Sequence, residues 1–511
     1  MEEESDPTIA LVLDTLKKNK QAIVFANTKS SAEKTAEDIS KKIKQSSEEL
    51  KKLADIALHA LSSPTKQCRR LAICLKKGVA FHHSGLTAKQ REIIEDNFRN
   101  GTIKIICSTP TLAYGLDLPA YRVILKDLRR YTHYGLDWIP TLEYLQMAGR
   151  AGRPKYDNIG EAIAVAKTDS AKEEIWNRYI EGEAEEIYSK LAVEPVLRTY
   201  VLSLIATDFV NDEKSIINFF SKTFWAFQYR DMGKLSSIIR RMLKLLEEFE
   251  FIEKEEKEEF KSASDMFNAK YTATTLGKRV AELYIDPLTA DHLIKGAKRA
   301  KTKSINAFSF LQLISHTLEM RPLLRVRMKE YEKYESIIIE NTDSLIDLEP
   351  ANYDPEYDEF VNSIKTASFM QEWIDEKDEE YILENYNVRP GEIKVKLDNA
   401  DWLLYSAEEL TRIIGYKELL KEIIKLRLRL EHGAKEELLP LLKLKGIGRK
   451  RARRMFNAGI KDIADVKKSG ITTLMQLIGN KTALSVKEQV GQKIDVIPKG
   501  TRKGQTSIEK F

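Results

Sequence analysis

Residues 8 to about 170 alternate short apolar runs with amphipathic helical patterns, and this alternation constrains the fold more than any other feature. Such alternation is typical of a parallel sheet covered by helices. We predict a helix over 30–44, capped by a serine, and strands at 22–26, 103–107, 122–125 and 161–166. Because ligands of open parallel sheets bind beyond the carboxyl ends of the strands, Asn27, Thr109 and the segment leading to Arg150 are expected near that edge.

The rest of the chain reads as mostly helical. Helices followed by a two-stranded ribbon between about 190 and 290 predict a winged helix, with the charge run 253–259 as its solvated tip. We expect an α/β domain at 1–185, the winged helix at 186–290, a helical domain at 291–432, a small basic helical domain at 433–495 and a disordered tail at 496–511.

Composition narrows the functional classes. The net charge of +5 over 511 residues is mild, so a nucleic-acid surface has to be local. Three cysteines and seven histidines lack metal-ligand or disulfide spacing, which favours reduced core thiols in a cytoplasmic protein and no metal site. Neither a signal peptide nor an apolar run long enough for a membrane span is evident.

The segment 146–154 places Arg150 and Arg153 in a Gly/Ala-rich stretch where we expect a helix to begin. Paired guanidinium groups neutralise charge that develops on phosphate, so the pattern favours nucleotide chemistry. The alternative is a helix start that carries surface arginines. No G-x-x-x-x-G-K-[ST] phosphate loop and no acidic magnesium-binding box occur in the 511 residues.

Polar residues after the apolar runs are candidates for contacts with nucleic-acid phosphate. Asn27 and Thr28 follow the first run, and Thr109 follows another. The segment 81–86 resembles a helicase motif, which makes His83 a further candidate, with a structural turn as the equally weighted alternative.

The segment 126–140 alternates basic and aromatic residues around Gly135, which predicts a β-hairpin. Tyr131, Tyr134 or Trp138 could stack on a base, and an ordinary packed hairpin is the alternative.

Two basic C-terminal segments point to further partners. Gly446 and Gly448, followed by Arg449 and Lys450, match a helix-hairpin-helix unit whose backbone N–H groups bind phosphate, and 478–481 is a candidate second copy. The last seven residues are similar to the sliding-clamp (PCNA) peptide Q-x-x-aliphatic-x-x-aromatic, with its anchors at Gln505, Ile508 and Phe511.

The segments 108–119 and 146–154 resemble the fifth and sixth motifs of superfamily-two helicases. With the hairpin, the module order and the segment 401–406, the chain resembles the archaeal Holliday-junction-migration type of Ski-type DNA helicase. The likeness covers nearly the whole chain, but only the region after the first RecA-like domain of such an enzyme.

The resemblance implies a second RecA-like domain in which Arg153 is the arginine finger, Arg150 its partner, and Gln146, Gly115 and Asp117 lie near ATP. ATP and Mg²⁺ would be held mainly by a first RecA-like domain on a separate chain. A ratchet helix over 391–414 would present Lys394 and Trp402 to DNA. At 395, where the family pattern has arginine, this chain has valine, and Lys394 or Lys396 is the expected substitute.

The implied activity is 3′-to-5′ unwinding of forked or branched DNA in repair and replication restart, as the C-terminal part of a split helicase recruited by the clamp. Two alternatives stay open: half of an RNA-remodelling Ski-type helicase, or a non-catalytic DNA-binding and clamp-tethering protein.

Overall fold

The computed structural model describes residues 6–492 except 45, 62, 116, 133–134, 154–156, 158 and 255–269. The chain divides into two compact units. The first comprises Met1–Leu245, Lys254–Tyr271 and Asp378–Asp398, and the second comprises Leu246–Glu253, Thr272–Lys377 and Asn399–Phe511.

The N-terminal part of the first unit is an α/β layer. Its elements are α1 (Pro7–Lys17), β1 (Ala22–Phe25), α2 (Lys29–Lys42), α3 (Glu48–Leu58), α4 (Lys66–Leu75), β2 (Val79–His82), α5 (Ala88–Arg99), β3 (Ile105–Ser108), β4 (Arg122–Leu125), β5 (Arg129–Thr132), β6 (Gly135–Trp138), α6 (Thr141–Ala148), β7 (Glu161–Ala164) and α7 (Asp169–Ile175). A 3₁₀ turn at Pro110–Ala113 follows β3.

The predicted parallel sheet is confirmed. The strand order is β2-β3-β1-β4-β7, and Ala22 of β1 lies opposite Ile105 of β3 and Arg122 of β4. Strands β1 to β4 are buried, and their side chains form the core with the helices on either face. The helix predicted at 30–44 is α2. Its N-cap is Thr28 and not a serine, and the Thr28 Oγ1 accepts the Ser31 N–H at 3.1 Å.

The expectation that Arg150 and Arg153 begin a helix is wrong. Helix α6 ends at Ala148, and Gly149 is its C-cap. Gly152 then adopts φ +95°, which ends regular helix, and its N–H bonds to the carbonyl of Ala120, which precedes β4. The eight residues of α6 run about 12 Å, roughly the length of a strand in this sheet.

The predicted hairpin is confirmed. Strands β5 and β6 pair antiparallel, with Arg129 opposite Trp138 and Thr132 opposite Gly135. Gly135 has φ +112°, which only glycine adopts without strain. Tyr134, a predicted DNA contact, lies outside the described residues.

The remaining elements are mostly helical, as expected. They are α8 (Glu194–Ala206), α9 (Glu213–Ser221), α10 (Phe224–Tyr229), α11 (Met232–Glu248), β8 (Ile252–Lys254), β9 (Tyr271–Ala273), α12 (Thr275–Leu283), α13 (Pro287–Ala300), α14 (Ala307–Ser315), α15 (Tyr331–Asn341), α16 (Tyr357–Ile374), α17 (Glu379–Tyr386), α18 (Pro390–Ile413), α19 (Lys417–His432), α20 (Leu439–Leu442), α21 (Arg449–Asn457), α22 (Ile463–Lys468), α23 (Ile471–Ile478) and α24 (Asn480–Gln489).

Helices α8 to α12 with the two-stranded sheet β8–β9 follow the element order of a winged helix, which stays a prediction; most of its predicted tip lies outside the described residues. The long helix expected at 391–414 is α18. Helices α20 to α24 enclose their own apolar core. Gly446 (φ +84°) and Gly479 (φ +87°) form the turns before α21 and α24, so the candidate second hairpin is present.

Cys68, Cys74 and Cys107 are buried and free, as expected, and burial raises the pKa of Cys74 to about 12. Within the described ranges, no helix combines the length and apolar character that a membrane crossing requires. No cluster of three or more metal-ligating side chains occurs among those residues either.

Candidate nucleic-acid interface

A cleft of about 600 Å³ lies at the carboxyl edge of the sheet in the first unit. Its wall is built by the residues that follow three neighbouring strands: 27–30, which include the start of α2, after β1, Ser84 after β2, and 109–111 after β3. The predicted proximity of Asn27 and Thr109 is therefore confirmed, and Thr28 lies beside them. The hairpin contributes Arg130, and the start of α18 contributes Arg389 and Glu392.

Hydroxyl groups line this cleft at different depths. Thr109 is buried, and its Oγ1 lies 2.9 Å from that of Thr111, which is exposed. Thr28 is also exposed although its oxygen caps α2. Asn27 donates its amide to the backbone carbonyl of Arg129, so it fastens the hairpin base to β1. Thr28 and Thr111 are thus the hydroxyls best placed for a phosphate, while Asn27 has a structural partner.

The sequence did not point to the cations of the cleft, apart from the general basic character of the hairpin. Arg389 Nε lies 3.2 Å from Glu33, and Arg130 NH1 lies 2.8 Å from Glu143. Lys29 is paired with Glu392. The sequence feature that could have drawn attention to Arg389 is its position just before Pro390, at the start of a long helical pattern.

His83 belongs to the support of the cleft and not to its surface. Its ring is fully buried, with Nε2 3.1 Å from Glu33, and Nδ1 accepts the Gly85 N–H at 3.1 Å. Burial lowers the pKa of His83, although Glu33 opposes this shift. Burial alone would raise the Glu33 pKa, but hydrogen bonds from His83 and Gln67 and the charge of Arg389 lower it to about 2. This arrangement favours the structural-turn interpretation of His83.

The fifth- and sixth-motif segments lie side by side. Arg150 donates to the carbonyl of Ala113, and its own carbonyl accepts the Ala120 N–H at 2.9 Å. Gly115 and Asp117 are exposed between those two contacts. The same stretch that begins in the cleft at Thr109 therefore ends against the arginine segment.

Arg153 lies at the opposite edge of the sheet from the cleft. Its NH1 bonds to Oε1 of Gln21, which directly precedes β1, at 2.6 Å. Its Nε bonds to the buried Asp157 at 2.6 Å, and Asp157 also pairs with Lys20 at 2.5 Å. The expectation that the segment leading to Arg150 lies near the carboxyl edge holds for the start of α6, where Glu143 lines the cleft. It does not hold for Arg153, because α6 carries the chain back along the strands.

The residues present fit one side of a nucleotide site. Arg150 is partly exposed, the Arg153 side chain is 18% exposed, and Gln146 is exposed on the last turn of α6. Guanidinium groups of this kind suit phosphate oxygens. Both arginines already have acceptors, so a nucleotide phosphate would have to replace or share them. The described residues contain no carboxylate cluster that could hold Mg²⁺.

The hairpin aromatics differ in surroundings. Tyr131 is 84% exposed. Trp138 is partly buried, with the Arg129 guanidinium 4.1 Å from its ring centre and Tyr179 edge-on at 6.1 Å. Tyr131 is available for stacking, whereas Trp138 fits the packed-hairpin alternative.

Helix α18 carries the predicted ratchet residues. The Lys394 side chain is 76% exposed and pairs with Asp398 at 2.6 Å, whereas burial lowers the pKa of Lys396 to about 8. Lys394 is therefore the better-placed cation, and Val395 beside it is 58% exposed. Trp402 is partly buried, and its Nε1 donates to the Leu283 carbonyl at 2.9 Å.

The basic residues of the helix-hairpin-helix region also separate into two groups. Arg449 stacks on Trp373 at 4.4 Å and donates to the Lys377 carbonyl at 3.0 Å, so it holds this region to the helical part of the second unit. Gly448 begins α21 with φ −95° and open space around it, next to the exposed Lys450. The clamp-peptide anchors Gln505, Ile508 and Phe511 lie outside the described residues.

Three family models match the chain. "Helicase conserved C-terminal domain" matches residues 7–155, "Archaeal helicase, domain 4" matches 308–433, and "SAM-like Helix-hairpin-helix tandem" matches 438–491. The last agrees with the two hairpins observed.

Curated relatives match nearly the whole chain. Proteins named ATP-dependent DNA helicase Hel308 are 38% identical over 524 residues in Methanocella arvoryzae (99% of this chain, 68% of the relative), 38% over 502 in Pyrococcus horikoshii (97% and 67%), and 36% over 517 in Methanococcus vannielii (94% and 67%). The chain spans about two thirds of the length of these relatives. Together with a helicase-type parallel sheet, a cleft at its carboxyl edge and a tandem helix-hairpin-helix, these matches show that the chain belongs to the Hel308 family of archaeal superfamily-two helicases.

Proposed function

We propose that these residues form the second motor domain and the DNA-handling modules of an ATP-dependent 3′-to-5′ DNA helicase that acts on forked or branched DNA. One observation carries the proposal. The stretch from Thr109 to Ala120 begins in the polar cleft and ends in backbone contact with the segment of Arg150. A single continuous segment thus connects a candidate DNA-phosphate site with candidate nucleotide-phosphate ligands.

The DNA side of the proposal rests on the cleft. Thr28 and Thr111 offer exposed hydroxyls, and Lys29, Arg130 and Arg389 supply positive charge. Such groups suit a sugar-phosphate backbone and carry no base preference. We expect this site to bind single strands with strong salt dependence.

On the nucleotide side, Arg153 and Arg150 would meet the phosphates of an ATP whose phosphate loop and Mg²⁺ ligands lie outside these 511 residues. A first RecA-like domain, on a second chain or on a longer form of this one, would supply them. Bound ATP supplies the phosphoanhydride whose hydrolysis drives motion. Arg153 would neutralise charge on its outer phosphate, a contribution of about 10³–10⁵ in rate in related hydrolases.

The other modules complete the proposal. The β5–β6 hairpin would part the strands, with Tyr131 stacking on the last base pair, and α18 would present Lys394 and Trp402 to the departing strand. The tandem helix-hairpin-helix region would bind phosphate beside Gly446 and Gly448, and the terminal peptide would recruit the sliding clamp PCNA.

A non-catalytic role as a DNA-binding protein is the second candidate, because the ion pair of Arg153 with the buried Asp157 gives this arginine a structural task. An RNA-remodelling motor is distinguished by substrate, since the tandem helix-hairpin-helix region favours DNA.

The test is DNA-stimulated ATP hydrolysis by the purified chain, with and without a separately expressed first RecA-like domain. Three proteins are compared: wild type, Arg153→Ala, and Arg153→Lys, which keeps a positive charge beside Asp157. Hydrolysis that needs both components and is lost in both variants, with folding and DNA binding intact, supports the finger role. Loss in Arg153→Ala with full activity in Arg153→Lys would assign Arg153 a structural role. A complex that forms on DNA yet hydrolyses nothing favours the non-catalytic candidate, and stronger stimulation by RNA than by DNA favours the RNA motor.

A further inference from the structure

The cations that line the described cleft all have carboxylate partners. Lys29 pairs with Glu392, Arg389 with Glu33, and Arg130 with Glu143. A phosphodiester that enters the cleft carries its own negative charge. It must therefore take a cation away from a carboxylate, share that cation with it, or remain without a charged partner.

The three pairs differ in how easily they open. Glu33 is 4% exposed and also accepts hydrogen bonds from His83, Gln67 and Arg70, so it holds Arg389 firmly. Arg130 is 44% exposed, but its partner Glu143 is 10% exposed and contacts one Arg130 nitrogen through both carboxylate oxygens. The Lys29 and Glu392 side chains are 31% and 28% exposed. Since ion pairs lose strength with solvent exposure, the Lys29–Glu392 pair opens at the lowest cost.

Lys29 and Glu392 also differ in how freely their side chains can move. Glu392 lies in the first turn of α18, where its second oxygen accepts the Arg389 N–H at 2.8 Å. Lys29 is the first residue of α2, next to Thr28, and its ammonium ends a flexible four-carbon stem that can turn to a new acceptor. The lysine can therefore leave while the glutamate stays in place.

We propose that the Lys29–Glu392 ion pair is a gate on the cleft: a nucleic-acid phosphate binds by taking Lys29 from Glu392. This inference deepens the proposed function and rests on it. It assigns Lys29 as a phosphate ligand of the cleft and Glu392 as the competitor that weakens binding until a strand is present. Because Glu392 belongs to α18, strand entry also releases one of the contacts between the first turn of this helix and α2.

The experiment measures the affinity of the 511-residue protein for a fluorescein-labelled oligothymidylate by anisotropy over a range of salt concentrations. Glu392→Gln keeps an oxygen for the Arg389 N–H but frees Lys29, so we expect binding to tighten by about twofold to fivefold. Lys29→Ala should weaken binding and reduce the slope of log affinity against log salt by about 0.7, the value for one phosphate contact on a single strand. In the double variant Glu392→Gln should have no further effect, because its action passes through Lys29.

Two residues of α2, the helix that contains Lys29, provide matched controls. Asp38 and Lys41 form an exposed ion pair at 2.9 Å that does not line the cleft. Asp38→Asn and Lys41→Ala change the net charge as the two test variants do, and we expect neither to alter the affinity appreciably. Circular dichroism verifies the fold of each variant.

The possible outcomes distinguish failure of the proposed gate from failure of the cleft as a DNA site. Weakened binding in Thr111→Val with no effect of Glu392→Gln keeps the cleft as the site and overturns the gate. Equal tightening by Glu392→Gln with and without Lys29 also overturns it, since the carboxylate then acts by direct repulsion. If wild type does not bind, or if the Thr111 and Lys29 variants both bind as wild type does, the cleft itself is rejected as the DNA site, and the gate with it.

Discussion

Arg389 Nε lies 3.2 Å from Oε1 of Glu33, a carboxylate 356 residues earlier in the chain. The pair joins the start of α18 to α2, and a backbone hydrogen bond of 3.0 Å from Gly391 to Gly85 lies beside it. A Cβ at Gly391 would come within 2.3 Å of the carbonyl of Leu86, so only glycine permits this approach. The first turn of the long helix is thus fitted to the loop that follows β2.

We predict that Glu33→Gln destabilises the first unit by about 3 kcal/mol, because the change leaves Arg70 and Arg389 without their buried counter-charge. Urea unfolding measures the loss. Glu37→Gln on the same helix is the control: it removes a carboxylate that also pairs with Arg70 but is 26% exposed, and it should cost less than about 1 kcal/mol. Equal losses of stability in both variants would show that the buried Glu33 stabilises the unit no more than the more exposed Glu37 does.

The stability of the first unit should fall in two steps as the pH is lowered. The His83 pKa is depressed by burial below its usual 6.5, so the folded state favours the neutral ring and stability declines as the pH falls below 6.5. The Glu33 pKa is depressed from 4.5 to about 2, so its contribution, about 3 kcal/mol, is present above pH 4.5 and is lost as the pH falls toward 2. Urea midpoints across this range test both steps. Glu33→Gln should make the lower step smaller without removing it, because other carboxylates of this unit, Glu95 and Asp157 among them, also have lowered pKa values. A wild-type midpoint that is constant from pH 7 to about 3 would contradict the assignment of both shifts.

Much of the fold follows from patterns that act locally. The sequence predicts four of the five strands of the sheet, the hairpin around Gly135, the long helix α18 and the two helix-hairpin-helix turns. These elements are predictable because each depends on the spacing of apolar residues and glycines within a short segment. Helix ends are less predictable. The sequence pattern favours a helix start at Arg150 and Arg153, whereas Gly149 and Gly152 end the preceding helix.

The site was predictable only where its residues follow strands. Asn27, Thr28 and Thr109 meet because the carboxyl ends of parallel strands share one edge. Arg389 and Glu392 lie 356 and 363 residues along the chain from their partners Glu33 and Lys29 in α2, and no local pattern links them. Burial of His83 depends on the same long-range contacts, which explains why its alternatives could not be separated from sequence.

Tyr131 and Trp138 should respond differently to replacement. Tyr131→Ala removes an exposed ring, so we expect unchanged stability and a loss of strand separation in the assembled motor, with stacking worth about 1–3 kcal/mol. Trp138→Ala removes a ring held by Arg129 and Tyr179 and should lower the thermal midpoint. Thermal unfolding and a forked-duplex unwinding assay measure the two effects. The reverse pattern, with Tyr131→Ala destabilising and Trp138→Ala neutral to stability, would assign the stacking role to Trp138.

Two glycines of the first helix-hairpin-helix turn should respond differently to replacement by alanine. Gly446 has φ +84°, so Gly446→Ala should cost about 1–3 kcal/mol in stability. Gly448 has φ −95° and open space where an added methyl group would lie, so Gly448→Ala should fold normally. It should nevertheless weaken DNA binding, since the methyl occupies the position from which a phosphate would approach the start of α21. Urea unfolding and anisotropy distinguish these effects, and unchanged affinity in Gly448→Ala would remove this turn from the DNA surface.

Arg453 and Arg454 are neighbours with different tasks. Arg453 binds Glu376 through Nε at 2.9 Å and NH2 at 2.5 Å, and its NH1 reaches Glu437 at 2.7 Å. These hydrogen bonds raise the Arg453 pKa and fix α21 against the helical part of the second unit. Arg454, one position further along α21, is exposed.

We therefore expect Arg453→Ala to lower the stability of the second unit by about 1–3 kcal/mol, mainly because the partly buried Glu376 loses its partner. Arg454→Ala should leave stability unchanged and reduce the salt slope of single-strand binding by about 0.7, as one lost phosphate contact requires. Hydrogen exchange in α21 and anisotropy titrations measure the two quantities. A reduced salt slope in Arg453→Ala at full stability would mean that this arginine leaves Glu376 for DNA, and that other contacts, Arg449 with Trp373 among them, suffice to hold the helix-hairpin-helix region.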